Sequence, residues 1–285
     1  MMALGAVGDP SRPVGVFDSG VGGLTVLRAL CDELPSEQFV YLGDTARLPY
    51  GTKSADTVVR YALQAADTLV GRGVKALIVA CNTVSAVALP AMRDRYANLA
   101  LIGVVEPGAE AAVAATRNGC IAVIGTEATV RGGAYQRAIA RRRPDATVSA
   151  LACQLFVALA EEGWTGGAIV RAIAQRYLAP LFGTGQPGGA AAADTLVLGC
   201  THFPALRAAI REVIGYQVMI VDSAATTARA AHRLLQQGGL LRAQQVAPAP
   251  ELSFLATDSV ARFASIGSRF LARDIEAQQV ELVDL

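Results

Sequence analysis

"TLVLGCTHFPA", residues 195–205, is an apolar run that ends abruptly at a cysteine, a threonine and a histidine. A similar stretch, "ALIVACNTVSA", occupies residues 76–86, and its Cys81 lies at the position that matches Cys200. Short apolar runs without clean alternation are typical of strands that are buried on both faces. The sequence therefore predicts two buried strands that end in the same kind of small, polar and reactive cluster.

Further apolar runs of this kind recur along the chain and alternate with helical patterns. We predict the other strands within residues 14–20, 38–44, 100–106, 120–126, 147–153, 217–223 and 251–257. Helical patterns span 54–70, 132–143 and 167–178, and we expect Pro180 to end the last of them. The alternation predicts an α/β fold with one or two mostly parallel sheets. The alanine- and glycine-rich residues 183–194 are typical of a surface loop.

The two halves of the chain resemble each other. "VGVFDSGVGGLTVLRAL" (14–30) and "IAVIGTEATVRGGAYQRAI" (121–139) each read as a strand, a small polar turn and a helix. The segments around Cys81 and Cys200 form a second matching pair. A duplicated α/β unit explains both similarities.

Composition and charge exclude several classes of protein. Hydrophobic residues make up 53% of the 285 residues and charged residues 17%, but no uncharged apolar stretch is long enough to span a membrane. The N-terminus lacks the basic and apolar regions of a secretion signal, so we expect a cytoplasmic protein. A net charge of +1 gives no general attraction to nucleic acid or to a membrane surface.

The cysteines predict free thiols. Their number is odd, none forms a CxxC pair, and the two histidines offer few ligands for a metal ion. We therefore expect neither a disulfide framework nor a metal site. Cys31, Cys120 and Cys153 are expected to be structural, whereas the polar neighbours of Cys81 and Cys200 favour a chemical role.

Polar side chains follow most of the predicted strands. In open α/β sheets ligands bind beyond the carboxyl ends of the strands, where the amides of following helices attract anions. The same field favours a thiolate, so we expect lowered pKa values for the strand-end cysteines. The residues that we expect at this edge are Asp18, Ser19, Asp44, Cys81, Asn82, Thr126, Cys200, Thr201 and His202.

Two thiols from matching halves suggest one type of reaction. If a substrate lies between them, one thiolate removes a proton from carbon while the opposing thiol delivers a proton to the other face. This reaction inverts a stereocentre and requires no redox cofactor. His202 could stabilise a thiolate or move a proton, whereas His232 is expected to be an ordinary helix residue. A pyridoxal mechanism needs a Schiff-base lysine, and only Lys53 lies in a suitable loop.

At this point the motifs identify a resemblance. "GVFDSGVGGLTVLRAL", "YLGDTARLPYG", "IVACNTVSA", "IGTEATVRGGAYQ" and "LVLGCTHFPAL" resemble the glutamate racemases in their order along the chain, from about residue 14 to about residue 223. The resemblance implies a cofactor-independent isomerase that supplies D-glutamate for peptidoglycan. It also implies two similar doubly wound domains with the active site between them, namely residues 1–103 with 217–285, and residues 104–216. We expect a homodimer.

The resemblance also implies roles for individual residues. Cys81 would exchange the α-proton of D-glutamate and Cys200 that of L-glutamate, with Asp18, His202 and Glu161 assisting. Gln154 occupies a position where the family often has proline, so the second domain's side of the site is expected to differ in shape. The residues implied to hold substrate are Asp18, Ser19, Tyr50, Gly51, Asn82, Thr83, Thr126, Thr129, Thr201 and His202.

Two other functions stay open at the level of the sequence. Aspartate racemases belong to the same superfamily, although "VFDSGVGGLTVLRAL" and "LPYGTKS" favour glutamate. A non-catalytic regulatory protein that keeps the fold is the other alternative, because some members of the family inhibit DNA gyrase. The presence of both cysteines with their polar neighbours argues against a loss of catalysis.

Overall fold

The computed structural model describes residues 8–182, 192–243 and 250–285. Within these residues ten strands form two sheets, and every strand pairing is parallel. The strands are β1 (Val14–Asp18), β2 (Phe39–Gly43), β3 (Ala76–Val79), β4 (Ala100–Gly103), β5 (Cys120–Gly125), β6 (Thr147–Ala152), β7 (Thr195–Gly199), β8 (Met219–Asp222), β9 (Leu252–Ala256) and β10 (Val280–Leu282).

The two sheets repeat one strand order. The first runs β10-β9-β2-β1-β3-β4 and the second runs β6-β5-β7-β8. In each sheet a first strand (β1 or β5) lies between its two successors, and a further strand follows on one side. The predicted α/β class with two similar, mostly parallel sheets is thus confirmed. Strand β10 has three residues and lies at the edge of the first sheet; the sequence patterns did not predict it.

Helices cover both faces of the two sheets. They are α1 (Leu24–Glu33), α2 (Ala55–Gly71), α3 (Asn82–Val87), α4 (Leu89–Arg95), α5 (Val105–Ala115), α6 (Glu127–Arg131), α7 (Ala134–Arg142), α8 (Leu155–Glu161), α9 (Gly167–Phe182), α10 (Arg207–Ile214), α11 (Ser223–Gln237) and α12 (Val260–Leu271). Short 3-10 helices cover Tyr50–Thr52, Phe203–Leu206 and Ala277–Gln279. No helix in the described part of the chain is long and apolar enough to cross a membrane.

In the part of the chain that the structure describes, four apolar clusters fill the layers between the helices and the sheets. One face of the first sheet packs against α1, α11 and α12, and the other packs against α2, α3 and α4. One face of the second sheet packs against α8, α9 and α10, and the other packs against α5 and α7. The central strands are consequently buried on both faces, as their continuous apolar runs predicted.

Helix α9 differs from its prediction. The pattern placed its end before Pro180, yet the helix continues through this proline to Phe182. Leu178 and Leu181 lie on the buried side and pack in the same apolar cluster. A proline within a helix removes one backbone hydrogen bond, and burial of these two leucines favours the helical turn in spite of that loss. Of the expected loop 183–194, residues 183–191 lie outside the described residues.

The path of the chain bears on the expected domain boundaries. Strands β9 and β10 belong to the first sheet, so the chain returns to it near residue 252. Strand β8, Met219–Asp222, pairs with β7 in the second sheet, although the expected boundary lies at residue 217. Sheet membership alone would move that boundary past Asp222; the division into domains itself stays a proposal.

Candidate active site

The carboxyl ends of the central strands meet at one cavity. Strand β1 ends at Asp18, β3 ends two residues before Cys81, and β7 ends immediately before Cys200. The cavity has a volume of about 260 Å³, and both cysteines line it. Its walls are formed by Ser19, Gly20, Leu48, Pro49, Tyr50, Gly51, Cys81, Asn82, Thr83, Thr126, Gln154, Val157, Ala158, Glu161, Cys200, Thr201 and His202.

Glycines allow the two halves to approach closely beside the cavity. A Cβ atom on Gly22 would lie 2.5 Å from atoms of Thr201 and His202, so the turn after β1 touches the turn after β7. The Thr25 hydroxyl donates to the Thr201 carbonyl at 3.1 Å in the same contact. On the other side, a Cβ atom on Gly51 would lie 2.7 Å from the side chain of Thr126. Small residues in these turns therefore set the width of the cleft.

Cys81 is a buried thiol at the start of α3. Its Sγ lies 3.4 Å from the Ser19 hydroxyl. Burial raises the pKa of Cys81 to about 12, and the neighbouring Asp18 carboxylate adds to this effect. The expected lowering of the pKa was therefore wrong for Cys81, because desolvation outweighs the field of a helix that is only six residues long. This cysteine therefore carries its proton at neutral pH.

Asp18 lies behind the wall of the cavity. It is only 1% exposed and does not line the cavity, and its Oδ2 accepts a hydrogen bond from the Gly20 amide at 3.0 Å. Burial raises the pKa of Asp18, while the nearby His202 acts in the opposite direction. Its Oδ1 has no hydrogen-bond partner among the described residues. The carboxyl group can thus act on Cys81 through space but has no direct place against a ligand.

Cys200 begins a chain of polar contacts. Its Sγ lies 3.7 Å from Nδ1 of His202, whose Nε2 lies 3.1 Å from Oε1 of Glu161. Burial acts to lower the pKa of His202, but the contacts with Cys200 and Glu161 prevail and raise it to about 10. The hydrogen bond from His202 lowers the pKa of Glu161. A charged imidazolium therefore lies between this sulfur and a carboxylate at neutral pH.

Helix α12, which packs on the first sheet, contacts Glu161 and His202. Arg269 donates to the backbone carbonyl of Glu161, and the Arg262 guanidinium lies 3.8 Å from the Glu161 carboxylate. The ring of Phe270 packs edge-on against His202, with 5.3 Å between the ring centroids. Glu161 and His202, which lie near Cys200, are consequently held in part by a helix that covers the first sheet.

Three threonine hydroxyls form a buried cluster across the cleft. The Oγ1 atom of Thr126 lies 2.9 Å from those of both Thr83 and Thr129, and the Thr83–Thr129 distance is 3.4 Å. Thr83 belongs to α3, whereas Thr126 caps α6. Thr83 and Thr126 line the cavity, but Thr129 lies behind it. Thr83 and Thr126 can therefore contact a ligand, whereas Thr129 supports them from behind.

Tyr50 is held from outside the cavity. Its hydroxyl donates to Oδ2 of Asp44, a fully buried carboxylate. The same carboxylate accepts hydrogen bonds from Arg47 at 2.6 Å and from Thr257 at 2.8 Å. Asp44 follows its strand as predicted, but it does not line the cavity. Its part is to fix the segment that carries Tyr50 and Gly51.

Sequence patterns missed several residues of the wall. Leu48 and Pro49 precede the Tyr50–Gly51 pair, and Val157 and Ala158 lie on α8 one turn before Glu161. Val157 and Ala158 precede Glu161 by four and three residues on one helix, and this spacing could have indicated that they share its face. Gln154, expected to alter this side, does line the cavity. No cluster of side chains in residues 8–182, 192–243 and 250–285 could hold a metal ion.

Comparison with known proteins identifies the family. The sequence profile of the Asp/Glu/Hydantoin racemases matches residues 23–231. A glutamate racemase from Geobacter metallireducens is 47% identical over 277 residues, which cover 96% of this chain and 98% of the relative. The chain belongs to the Asp/Glu/hydantoin racemase family. It is accordingly an amino-acid racemase, and the resemblance inferred from the motifs is confirmed.

Solved structures of the family share the fold of this racemase. A glutamate racemase isoform from Bacillus anthracis superposes with a TM-score of 0.88 at 36% identity, covering 96% of this chain and 98% of that one. A glutamate racemase from Francisella tularensis, solved in complex with D-glutamate, gives a TM-score of 0.86 at 34% identity with the same coverage. The arrangement of two parallel sheets is thus common to these enzymes.

Proposed function

We propose that this racemase interconverts L- and D-glutamate by cofactor-independent proton transfer between two cysteines. The observation that carries the proposal is that Cys81 and Cys200 follow equivalent strands of the two sheets and line one small cavity. The specificity for glutamate is supported by the glutamate racemases that the chain resembles, one of them solved with D-glutamate.

In the direction from L- to D-glutamate, Cys200 acts as the base. Its thiolate, beside the positive charge of His202, accepts the α-proton as the Cα–H bond breaks and the electron pair passes into the substrate carboxylate. The Cys81 thiol then donates its proton to the opposite face of Cα. Turnover leaves Cys200 protonated and Cys81 as a thiolate, so atoms and charge balance. The reverse reaction begins from this second state of the enzyme.

The surroundings of the two cysteines support these two roles. Cys81 has a pKa of about 12, so at neutral pH it carries the proton that the reaction requires it to donate. His202 is positively charged at neutral pH and lies 3.7 Å from the Cys200 sulfur, where it stabilises a negative charge. We therefore propose that Cys81 acts as the acid and Cys200 as the base when L-glutamate is the substrate.

Polar groups in the cavity wall provide places for the substrate. Helix α3 begins beside Cys81 and α6 begins beside Thr126, so polar side chains at two helix starts reach the cavity. We propose that the residues that hold glutamate are Ser19, Tyr50, Gly51, Asn82, Thr83, Thr126, Thr201 and His202, all of which line the cavity. Asp18 and Thr129 act from behind this wall.

Proton exchange at Cα tests the mechanism. The enzyme is incubated with L- or D-glutamate in deuterated water, and optical rotation and deuterium at Cα are followed together. The wild type is expected to invert both enantiomers and to place solvent deuterium in the product. Cys81→Ala and Cys200→Ala should each abolish inversion. Full racemisation by either variant would contradict the two-thiol mechanism, and Cys120→Ala is the matched control outside the cavity.

The same assay separates the alternatives. Faster turnover of aspartate than of glutamate would favour an aspartate racemase. Binding of glutamate without any exchange at Cα would favour a non-catalytic regulatory protein. We also propose that the enzyme forms a homodimer in the cytoplasm and supplies D-glutamate for peptidoglycan. Growth of a D-glutamate auxotroph after expression of the wild type, but not of Cys81→Ala, tests that role, and light scattering measures the oligomeric state.

A further inference from the structure

One buried tyrosine connects the surroundings of the two cysteines. Tyr135 lies on α7, is 1% exposed, and packs in the apolar cluster between α5 and the second sheet. Its ring occupies a slot between two glycines, since Cβ atoms on Gly108 and Gly199 would lie 3.1 and 3.2 Å from ring atoms. Gly199 immediately precedes Cys200. The tyrosine ring is therefore fixed directly beneath the strand end that carries this cysteine.

The hydroxyl group of Tyr135 reaches the other half of the molecule. It donates to Oδ1 of Asn82 at 2.7 Å, and Asn82 directly follows Cys81. Burial raises the pKa of Tyr135, so the phenol keeps its proton and remains a donor. The hydrogen bond crosses from α7 of the second sheet to α3 of the first.

This bond decides which end of the amide faces the cavity. Asn82 lines the cavity and is 2% exposed, and its Nδ2 has no hydrogen-bond partner among the described residues. If the amide turned over, Nδ2 would donate to the Tyr135 oxygen, and the Tyr135 proton would lose Oδ1 as its acceptor. A buried donor without an acceptor is costly. The tyrosine therefore keeps Oδ1 inward and leaves the two N–H donors of Nδ2 for a ligand.

We propose that Tyr135 is a positioning residue, which orients the Asn82 amide so that its Nδ2 donates to a carboxylate of the substrate. The inference rests on the proposed racemisation of glutamate, because it assigns a place to one of that substrate's anionic groups. Tyr135 does not touch the reacting atoms; it acts through Asn82. The rigid slot between Gly108 and Gly199 matters because it prevents the ring from following a rotating amide.

Tyr135→Phe is the decisive variant, since it removes one oxygen atom and keeps the ring in its slot. Without Tyr135 to orient it, Asn82 should lose or weaken its hydrogen bond to the substrate carboxylate. We therefore expect KM for glutamate to rise about tenfold while kcat changes by less than about twofold. Because the enantiomers have equal free energies, kcat/KM must fall by the same factor in both directions. An unchanged KM would overturn the proposal.

A double-mutant cycle distinguishes positioning from a general effect on stability. In the Asn82→Ala background the amide is absent, so Tyr135→Phe should cause no further increase in KM. Independent, multiplicative effects of the two substitutions would contradict the proposal. Tyr96→Phe is the matched control, because its hydroxyl also donates to a side-chain oxygen, Oδ1 of Asp67 at 2.6 Å, but lies away from the cavity. We expect this control to leave KM unchanged.

A measurement on the wild type keeps the proposal testable if Tyr135→Phe does not fold. Neutron diffraction of crystals with D-glutamate distinguishes nitrogen from oxygen in the Asn82 side chain. Nδ2 should face a substrate carboxylate and Oδ1 should face Tyr135; the opposite arrangement would overturn the inference. A wild type that binds glutamate but does not racemise it would instead contradict the proposed function, so the two failures are distinguishable.

Discussion

Replacing Glu161 with glutamine should change the protonation of His202. The wild-type carboxylate lies 3.1 Å from Nε2 of His202, and both side chains are largely buried. A hydrogen bond to a charged group contributes about 1.5–3 kcal/mol, and 1.36 kcal/mol corresponds to one pKa unit. The amide oxygen of the glutamine can still accept a hydrogen bond from His202, but it carries no negative charge. We therefore expect the pKa of His202 to fall from about 10 to roughly 8 to 9.

Histidine NMR can measure this change because the chain contains only two histidines. With ¹⁵N-labelled histidine, the resonances of His202 and His232 are assigned by comparison with His232→Asn. Glu33→Gln is the matched control, since it removes the carboxylate that lies 2.9 Å from His232 Nδ1, far from the cavity wall. We expect this control to leave the titration of His202 unchanged.

The pH dependence has a definite sign. A folded-state pKa above the usual 6.5 means that His202 stabilises the fold fully below about pH 6.5, and that this contribution is lost as the pH rises towards 10. Relative to the wild type, racemisation by Glu161→Gln should decline as the pH rises through roughly 8 to 9, because the imidazolium beside Cys200 loses its charge there. Titration of wild-type His202 near 6.5, or an unchanged titration in the variant, would refute this reasoning.

Three further outcomes are expected. Lys75→Met should lower the free energy of unfolding by about 3–5 kcal/mol in urea titrations, because it leaves Glu37, its buried partner at 2.5 Å, without a counter-charge; a loss below about 1 kcal/mol would contradict this. Gly22→Ala should sharply reduce racemisation, since the added methyl group would meet His202 at 2.5 Å; wild-type kinetics would show that the turn can move. In a variant whose other four cysteines are serine, alkylation of Cys81 by iodoacetamide should be slow at pH 8 and still accelerate above pH 10, because its pKa is about 12; a plateau below pH 9 would be inconsistent with that value.

The strands and the two cysteines could be predicted from the sequence because their signals are local. A continuous apolar run buried on both faces requires only a few residues, and the polar residue that follows it must lie at the edge of the sheet. The paired motifs around Cys81 and Cys200 thus predicted the repeated sheets and placed both thiols at strand ends. The three-residue strand β10 gave no such signal, since its pairing with β9 supplies the reason for it to be extended.

Contacts between distant segments could not be predicted in the same way. The field of a helix start favours a thiolate, but the degree of burial and the position of Asp18 decide the pKa of Cys81, and both depend on the assembled fold. Likewise, nothing near Tyr135 in the sequence indicates a bond to Asn82, 53 positions away. Glu161 was suggested by family resemblance alone; its contact with His202 arises from the approach of α8 to the turn after β7.

The contacts of α12 determine when, during synthesis of the chain, the surroundings of His202 can form. Cys200 and His202 leave the ribosome well before Arg262, Arg269 and Phe270, which complete the surroundings of the imidazole and its carboxylate partner. A nascent chain that stops short of α12 therefore contains both thiols but lacks the groups that hold the Cys200 side in place. The surroundings of His202 and Glu161 are complete only after α12 has been synthesised.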